Sequence, residues 1–122
     1  MRLLLIILIL SLSGCGRSTP LQSRGKPVTH WLESLQDRDA SVRKKAVVAL
    51  GHVGDADPAA IPAVMGAVKD KEAVVRRQAV LALLNLGARA KEAEAVLTEA
   101  QTDRDAQVRA YALKALERIQ AK

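Results

Sequence analysis

Phenylalanine is absent from this chain of 122 residues, and Trp31 and Tyr111 are its only other large aromatics. Any core must therefore be built from Ala, Val, Leu and Ile. Missing stacking aromatics also argue against single-stranded nucleic acid as a partner, although the chain is basic, with 19 Lys and Arg against 13 Asp and Glu. Cys15 is the only cysteine, so no intrachain disulfide forms and stability rests on packing. The two histidines, His30 and His52, have no carboxylate at ligand spacing on the same helix face, and lone helical histidines are ordinarily solvated or half-packed. There is no glycine-rich phosphate loop and no H-E-x-x-H. These absences lead us to expect no catalytic, metal-binding or cofactor-binding residues, no small-molecule substrate, and a protein that is not an enzyme. The longest apolar run, Leu3–Leu10, is too short to cross a hydrocarbon core, which takes roughly 20 residues.

That run nevertheless has meaning where it stands. Met1-Arg2 forms a minimal positive start, Leu3–Leu10 an apolar segment, and Ser11-Leu12-Ser13-Gly14-Cys15 follows. Leu12-Ser13-Gly14-Cys15 resembles the bacterial lipobox: leucine three residues before the cysteine, then two small residues. The resemblance implies that residues 1–14 are a lipoprotein signal peptide and that Cys15 carries a diacylglycerol (palmitate-type) anchor. The chain would then be exported and lipid-anchored to a bacterial membrane, with Gly16 replacing the aspartate that retains such proteins at the inner membrane of enteric bacteria. A plain signal peptide or a short N-terminal anchor is the alternative. Removal of residues 1–14 leaves 108 residues, enough for one core, and the loss of Arg2 lowers the formal net charge from +6 to +5. Residues 15–27 are rich in Gly, Ser, Pro and Gln without apolar periodicity, which predicts the lipidated cysteine followed by a flexible linker. Its Arg17, Arg24 and Lys26 either meet anionic headgroups or are ordinary solvated charges.

Beyond the linker the sequence recurs at a spacing of 33. Val42-Arg43, Val75-Arg76 and Val108-Arg109 are separated by that interval, as are Asp37, Asp70 and Asp103; Ala46, Ala79 and Ala112; and Leu50, Leu83 and Leu116. A period of this length denotes stacked supersecondary units. Val28, Trp31, Leu32 and Leu35 follow the i, i+3, i+4, i+7 rule, as do Ile61, Val64, Met65 and Val68; Ala93, Val96, Leu97 and Ala100 carry the third copy, slipped by one. Each such helix is followed by an acidic turn and a second helix. Asp39 and Asp105 are N-cap candidates and Glu72 a weaker one, while Gly54 and Gly87 fit left-handed C-caps. With no strand signal, the expected fold is all-α: an α-α superhelix, or solenoid, of three helical hairpins over about 28–54, 58–87 and 89–120, within a domain 28–122.

The frame Asp-x-x-x-x-Val-Arg-x-x-Ala-x-x-x-Leu resembles the HEAT repeat, in the bacterial subgroup called phycobilisome-lyase-like, over about Val28–Ile119. Ankyrin repeats share the period, but their Thr-Pro-Leu-His signature is missing. The resemblance implies that Asp37–Arg43, Asp70–Arg76 and Asp103–Arg109, each an Asp with the Arg six residues later, form a structural hydrogen-bonded ladder joining neighbouring repeats, a use that suits bidentate Arg–carboxylate geometry. The subgroup's lyase label is not expected to transfer, because a chromophore lyase would work in the cytoplasm and this chain is expected to be exported.

In HEAT stacks the second helices line the concave side. On a 100° wheel Val42, Ala46, Ala49, Leu50 and Val53 point inward. The opposite arc, over the three repeats, offers Lys44, Lys45, Val48, His52, Val74, Arg77, Gln78, Leu81, Asn85, Tyr111, Lys114 and Arg118 as candidate partner-binding residues. It carries five cations and no carboxylate, with Val48, Val74 and Leu81 exposed among them. The expected function is a membrane-tethered interaction module or adaptor of the bacterial envelope, holding an acidic or amphipathic segment of another envelope protein in a basic groove. The alternative is a structural module that stacks through its end faces on a larger repeat or helical protein without a groove ligand. On either view nucleic acid is not a partner.

Overall fold

The computed structural model describes residues 21–121, so the signal segment 1–14 and Cys15 lie outside the described residues. A short antiparallel hairpin, β1 (Gln22–Ser23) and β2 (Lys26–Pro27), precedes three helical hairpins. These are α1 (Val28–Ser34) with α2 (Ala40–Val53), α3 (Ala60–Ala67) with α4 (Ala73–Leu86), and α5 (Glu94–Ala100) with α6 (Ala106–Gln120). The fold is the expected all-α solenoid.

The second helices carry the stack. Packing of α2 on α4 and of α4 on α6 is the most extensive in the molecule. Their meeting faces are rich in alanine: Ala46, Ala79, Ala112 and Ala115 are fully buried, which lets the helix axes come close. Leu50, Leu83 and Leu97 are the largest side chains wholly inside, as an aromatic-poor composition requires. A Cβ on Gly51 would lie 2.9 Å from the Cβ of Ala82, so glycine there permits the close α2–α4 separation.

Local signals start and stop the helices. Asp39 accepts from the Ser41 N–H at 2.8 Å, and Asp105 accepts from the Gln107 and Val108 N–H groups at 3.0 Å, so both cap the helices they precede. Glu72 makes no side-chain cap. Pro62 falls in the first turn of α3, where its missing N–H costs nothing. Gly54 and Gly87 have positive φ, 55° and 56°, but ψ of −136° and −131°. They are therefore not the left-handed caps expected, whose ψ is near +47°. The chain turns at once into 3₁₀ segments, Gly54–Ala56 and Gly87–Ala93, through a backbone region open to glycine.

The N-terminal boundary also corrects the sequence reading. Residues 22–27 are not flexible linker and not free of strand. Arg24 and Gly25 both have positive φ, 52° and 71°, the signature of a tight two-residue hairpin turn. Trp31 fixes the hairpin by donating from Nε1 to the Ser23 carbonyl at 3.0 Å, and the Val28 N–H donates to the Leu21 carbonyl at 3.3 Å. Ser23 is buried and β1 packs against α2, beside His52 and Val53, so the hairpin covers part of the N-terminal end of the stack.

Candidate functional site

Two constellations of charged side chains arise from the repeats, and they differ in kind. The first is the ladder. Arg43 donates from Nε and from a terminal nitrogen to both oxygens of Asp70, at 2.9 and 3.1 Å, and from its other terminal nitrogen to the carbonyls of Asp37 and Arg38, at 2.9 and 3.0 Å. Arg76 repeats the arrangement on Asp103 and on the carbonyls of Asp70 and Lys71. Each arginine thus grips its own turn through backbone carbonyls and the next repeat through a carboxylate 27 residues on. Asp70 and Asp103 also accept the N–H two residues ahead, from Glu72 and Asp105, which shapes the turn that presents them.

Burial alone would push the carboxyls of Asp70 and Asp103 up. The bonds from Arg43 and the Glu72 N–H at Asp70, and from the Asp105 N–H and Arg76 at Asp103, outweigh it and hold both below the ordinary range. Arg43 and Arg76 are only 5% exposed. Buried and fully bonded, these groups act as structural bolts. Among the described residues no ladder arginine bonds the carboxylate of the aspartate six residues before it, only that residue's carbonyl, which corrects the expected pairing. At the ends of the ladder the Asp37 carboxylate accepts only the Asp39 N–H at 2.8 Å, and the Arg109 side chain donates only to the Asp103 carbonyl at 2.7 Å.

The second constellation is the outward arc of α2, α4 and α6. Lys44, Val74, Arg77, Gln78, Leu81 and Tyr111, joined by Gln107, line one shallow depression of about 180 Å³. Lys45, Asn85 and Lys114 lie exposed outside it. His52 sits apart, beside the β-hairpin with Val53 and Ala56, and Arg118 reaches back to donate to the Leu84 carbonyl at 3.2 Å.

Two expectations for this arc are corrected. A carboxylate does stand in it: Asp105 accepts from Arg77 at 3.0 and 2.8 Å, bidentately, so Arg77 is a neutralised cation. That guanidinium, followed by the Val108 N–H, draws Asp105 down to about 2, while Asp105 raises Arg77. Only Val74, 38% exposed, is an open apolar residue, because Val48 and Leu81 are half-buried by neighbouring helices. The apolar patch of Val74, Leu81 and Tyr111 has Lys44 beside it, and Lys45, Lys114 and Arg118 are the other basic groups of the arc.

Another surface cleft, about 550 Å³, lies elsewhere, at the turns of the second and third hairpins. It is lined by ladder residues and by Lys69, which pairs with Glu99 at 3.3 Å. Its charges are largely spent on one another, and we assign it no chemistry. His30 packs edge-on against Trp31 with ring centroids 4.8 Å apart. Among the described residues no cluster of His, Cys, Asp or Glu could hold a metal ion, and no helix is long and apolar enough to cross a membrane.

Helical hairpins of near-identical frame, bolted by an arginine to the next turn's aspartate, define a helical-repeat protein. Residues 28–117 match the family model for HEAT repeats, and the chain belongs to that family. No curated protein matches it. Proteins of this family generally mediate protein–protein interaction.

Proposed function

We propose that this chain is a protein-interaction module tethered to a bacterial membrane through Cys15, exported by the signal segment 1–14, whose partner is an acidic or amphipathic segment of another envelope protein. The observation that carries the binding reading is the side-by-side placement of Val74, Leu81 and Tyr111 with Lys44 in one depression, while Lys45, Lys114 and Arg118 add exposed positive charge elsewhere on α2 and α6. A recess of this size is too small for a drug-sized ligand, which needs roughly 300–1,000 Å³, but it suits side chains of a segment lying across three helices. The bidentate bond to Asp105 holds Arg77 in place at the depression, so this side chain loses little freedom on binding. We read the protein as a binder and not an enzyme, since His30 is occupied by Trp31 and His52 stands alone.

The test is crosslinking capture from native membranes. Wild type is compared with Lys44→Glu/Lys45→Glu/Lys114→Glu, leaving Arg77 in place because its loss would free the cap of α6. A partner held by wild type and lost by the variant, with equal helicity, supports the groove; identical partners would remove it. Lipid labelling of Cys15→Ser tests the tether separately.

A second reading, stacking through an end of the solenoid, is favoured by one specific observation: Leu113 at the C-terminal end is 50% exposed.

A further inference from the structure

One position breaks the pattern of burial in the repeats. Val47 in α2 and Val80 in α4 are fully buried inside the stack. Leu113, 33 residues after Val80, occupies the same place in α6 and is half exposed. Arg109 differs in the same way: Arg43 and Arg76 each receive a carboxylate from the following hairpin, and among the described residues the Arg109 side chain has only the Asp103 carbonyl. At 100° per residue Ala106, Arg109, Ala110, Leu113, Glu117 and Gln120 fall within a stripe about 100° wide, and all six are exposed.

This stripe is its own complement. Arg109 lies four residues before Leu113, and Glu117 lies four residues after it. If two copies of α6 cross antiparallel with Leu113 on the twofold axis, each Arg109 faces Glu117 of the second copy. Ala106 and Ala110 beside it permit close approach. The other end of the stack does not offer an equivalent surface, because the β-hairpin packs on α2 there and is held by Trp31. The hairpin covers part of that end, beside His52 and Val53, and pairing of like ends, in which Arg109 meets Glu117, gives a closed dimer.

We propose that the exposed stripe of α6 is a self-association surface, on which two copies meet through a Leu113–Leu113 contact flanked by two Arg109–Glu117 ion pairs. A single helix face of this length buries less than the ~800 Å² per partner of a stable interface, so the dimer belongs to the transient class. The surface is distinct from the basic groove, and the proposal does not depend on it.

The experiment is sedimentation equilibrium of the fragment 21–122, whose described part contains the whole helical core and its covering hairpin, at concentrations up to ~1 mM. Wild type is expected to dimerise reversibly. Arg109→Glu and Glu117→Arg, each placing like charges opposite one another twice, should weaken association at least about tenfold. The double variant Arg109→Glu/Glu117→Arg should restore it, and Leu113→Asp should abolish it, all with unchanged circular dichroism. Lys44→Glu/Lys45→Glu should leave association intact, which separates this surface from the groove. A wild type that stays monomeric, a dimer that survives Leu113→Asp, or a double variant that fails to recover would overturn the proposal. Rescue of Arg109→Glu by Asp37→Arg in place of Glu117→Arg would likewise overturn it, in favour of a head-to-tail stack.

Discussion

Arg76→Met separates the ladder from the helix packing around it. The guanidinium makes two charge-assisted bonds to Asp103 and two to the carbonyls of Asp70 and Lys71, at 3.0–3.1 Å, with the side chain 6% exposed. Methionine fills most of the space of the stem but satisfies none of these groups. Asp103 is left a carboxylate, 14% exposed, with only the Asp105 N–H to accept. Breaking a buried pair by removing one partner costs about 3–5 kcal/mol; partial exposure of Asp103 places this case at the lower end, about 3 kcal/mol. For a domain near 100 residues that corresponds to a fall in Tm of about 12–24 °C. Urea unfolding followed by circular dichroism at low micromolar concentration is the assay. The control is Arg109→Met, the same motif residue one repeat later, which gives up one bond to an exposed turn and should cost less than about 1 kcal/mol. Combining Arg76→Met with Asp103→Asn should cost less than the sum of the single changes, since they share one network. If Arg76→Met and Arg109→Met are equally mild, packing alone joins the repeats and the bolt assigned to Arg76 does not exist.

Other outcomes follow from single sites. Gly51→Val drives a side chain into Ala82 and should destabilise by about 2–3 kcal/mol, whereas Gly66→Ala, with nothing within 4 Å of the added Cβ, should stabilise by about 0.5–1 kcal/mol; paired melting curves read both signs. Asp105 is held at about 2 against an ordinary 3.8, so its contribution is complete above 3.8 and is lost as pH falls through 2. Melting temperature should therefore drop on acidification through that window, and less steeply in Asp105→Asn. Trp31→Phe removes the bond to the Ser23 carbonyl and should accelerate hydrogen exchange of the Val28 amide, which closes the hairpin, while leaving amides of α4 protected.

The 33-residue spacing made the three hairpins and the ladder legible because each repeat solves the same packing problem with the same residues. What it could not show is whatever occurs once. Arg77–Asp105 has no counterpart, since Lys44 and Ala110 stand at the positions equivalent to Arg77; the cap role of Asp105 was visible and its second partner was not. The β-hairpin was hidden for another reason. Gln22–Pro27 has the composition of a tether, and the groups that hold it, Trp31 and the face of α2, are brought to it only by the fold. The Arg24-Gly25 pair was the local signal, a glycine at the second position of a two-residue turn.

Leu113 exposes a more general limit. A helical wheel sorts residues into inward and outward, but a second helix in a solenoid has buried sides toward its own first helix and toward the repeats before and after it. Val47, Val80 and Leu113 belong to a side that such a division leaves out, and they are apolar in all three copies. Two of them are buried and the third is half exposed, although the residue type and the motif are alike. Arg43, Arg76 and Arg109 divide in the same way, two bolted to a carboxylate and one without. The meaning of a repeat residue is therefore set by its place in the stack as much as by its identity. In this chain the information that distinguishes it from other stacks of its kind sits where the pattern loses a neighbour: at a hairpin-covered first repeat and at the open face of α6.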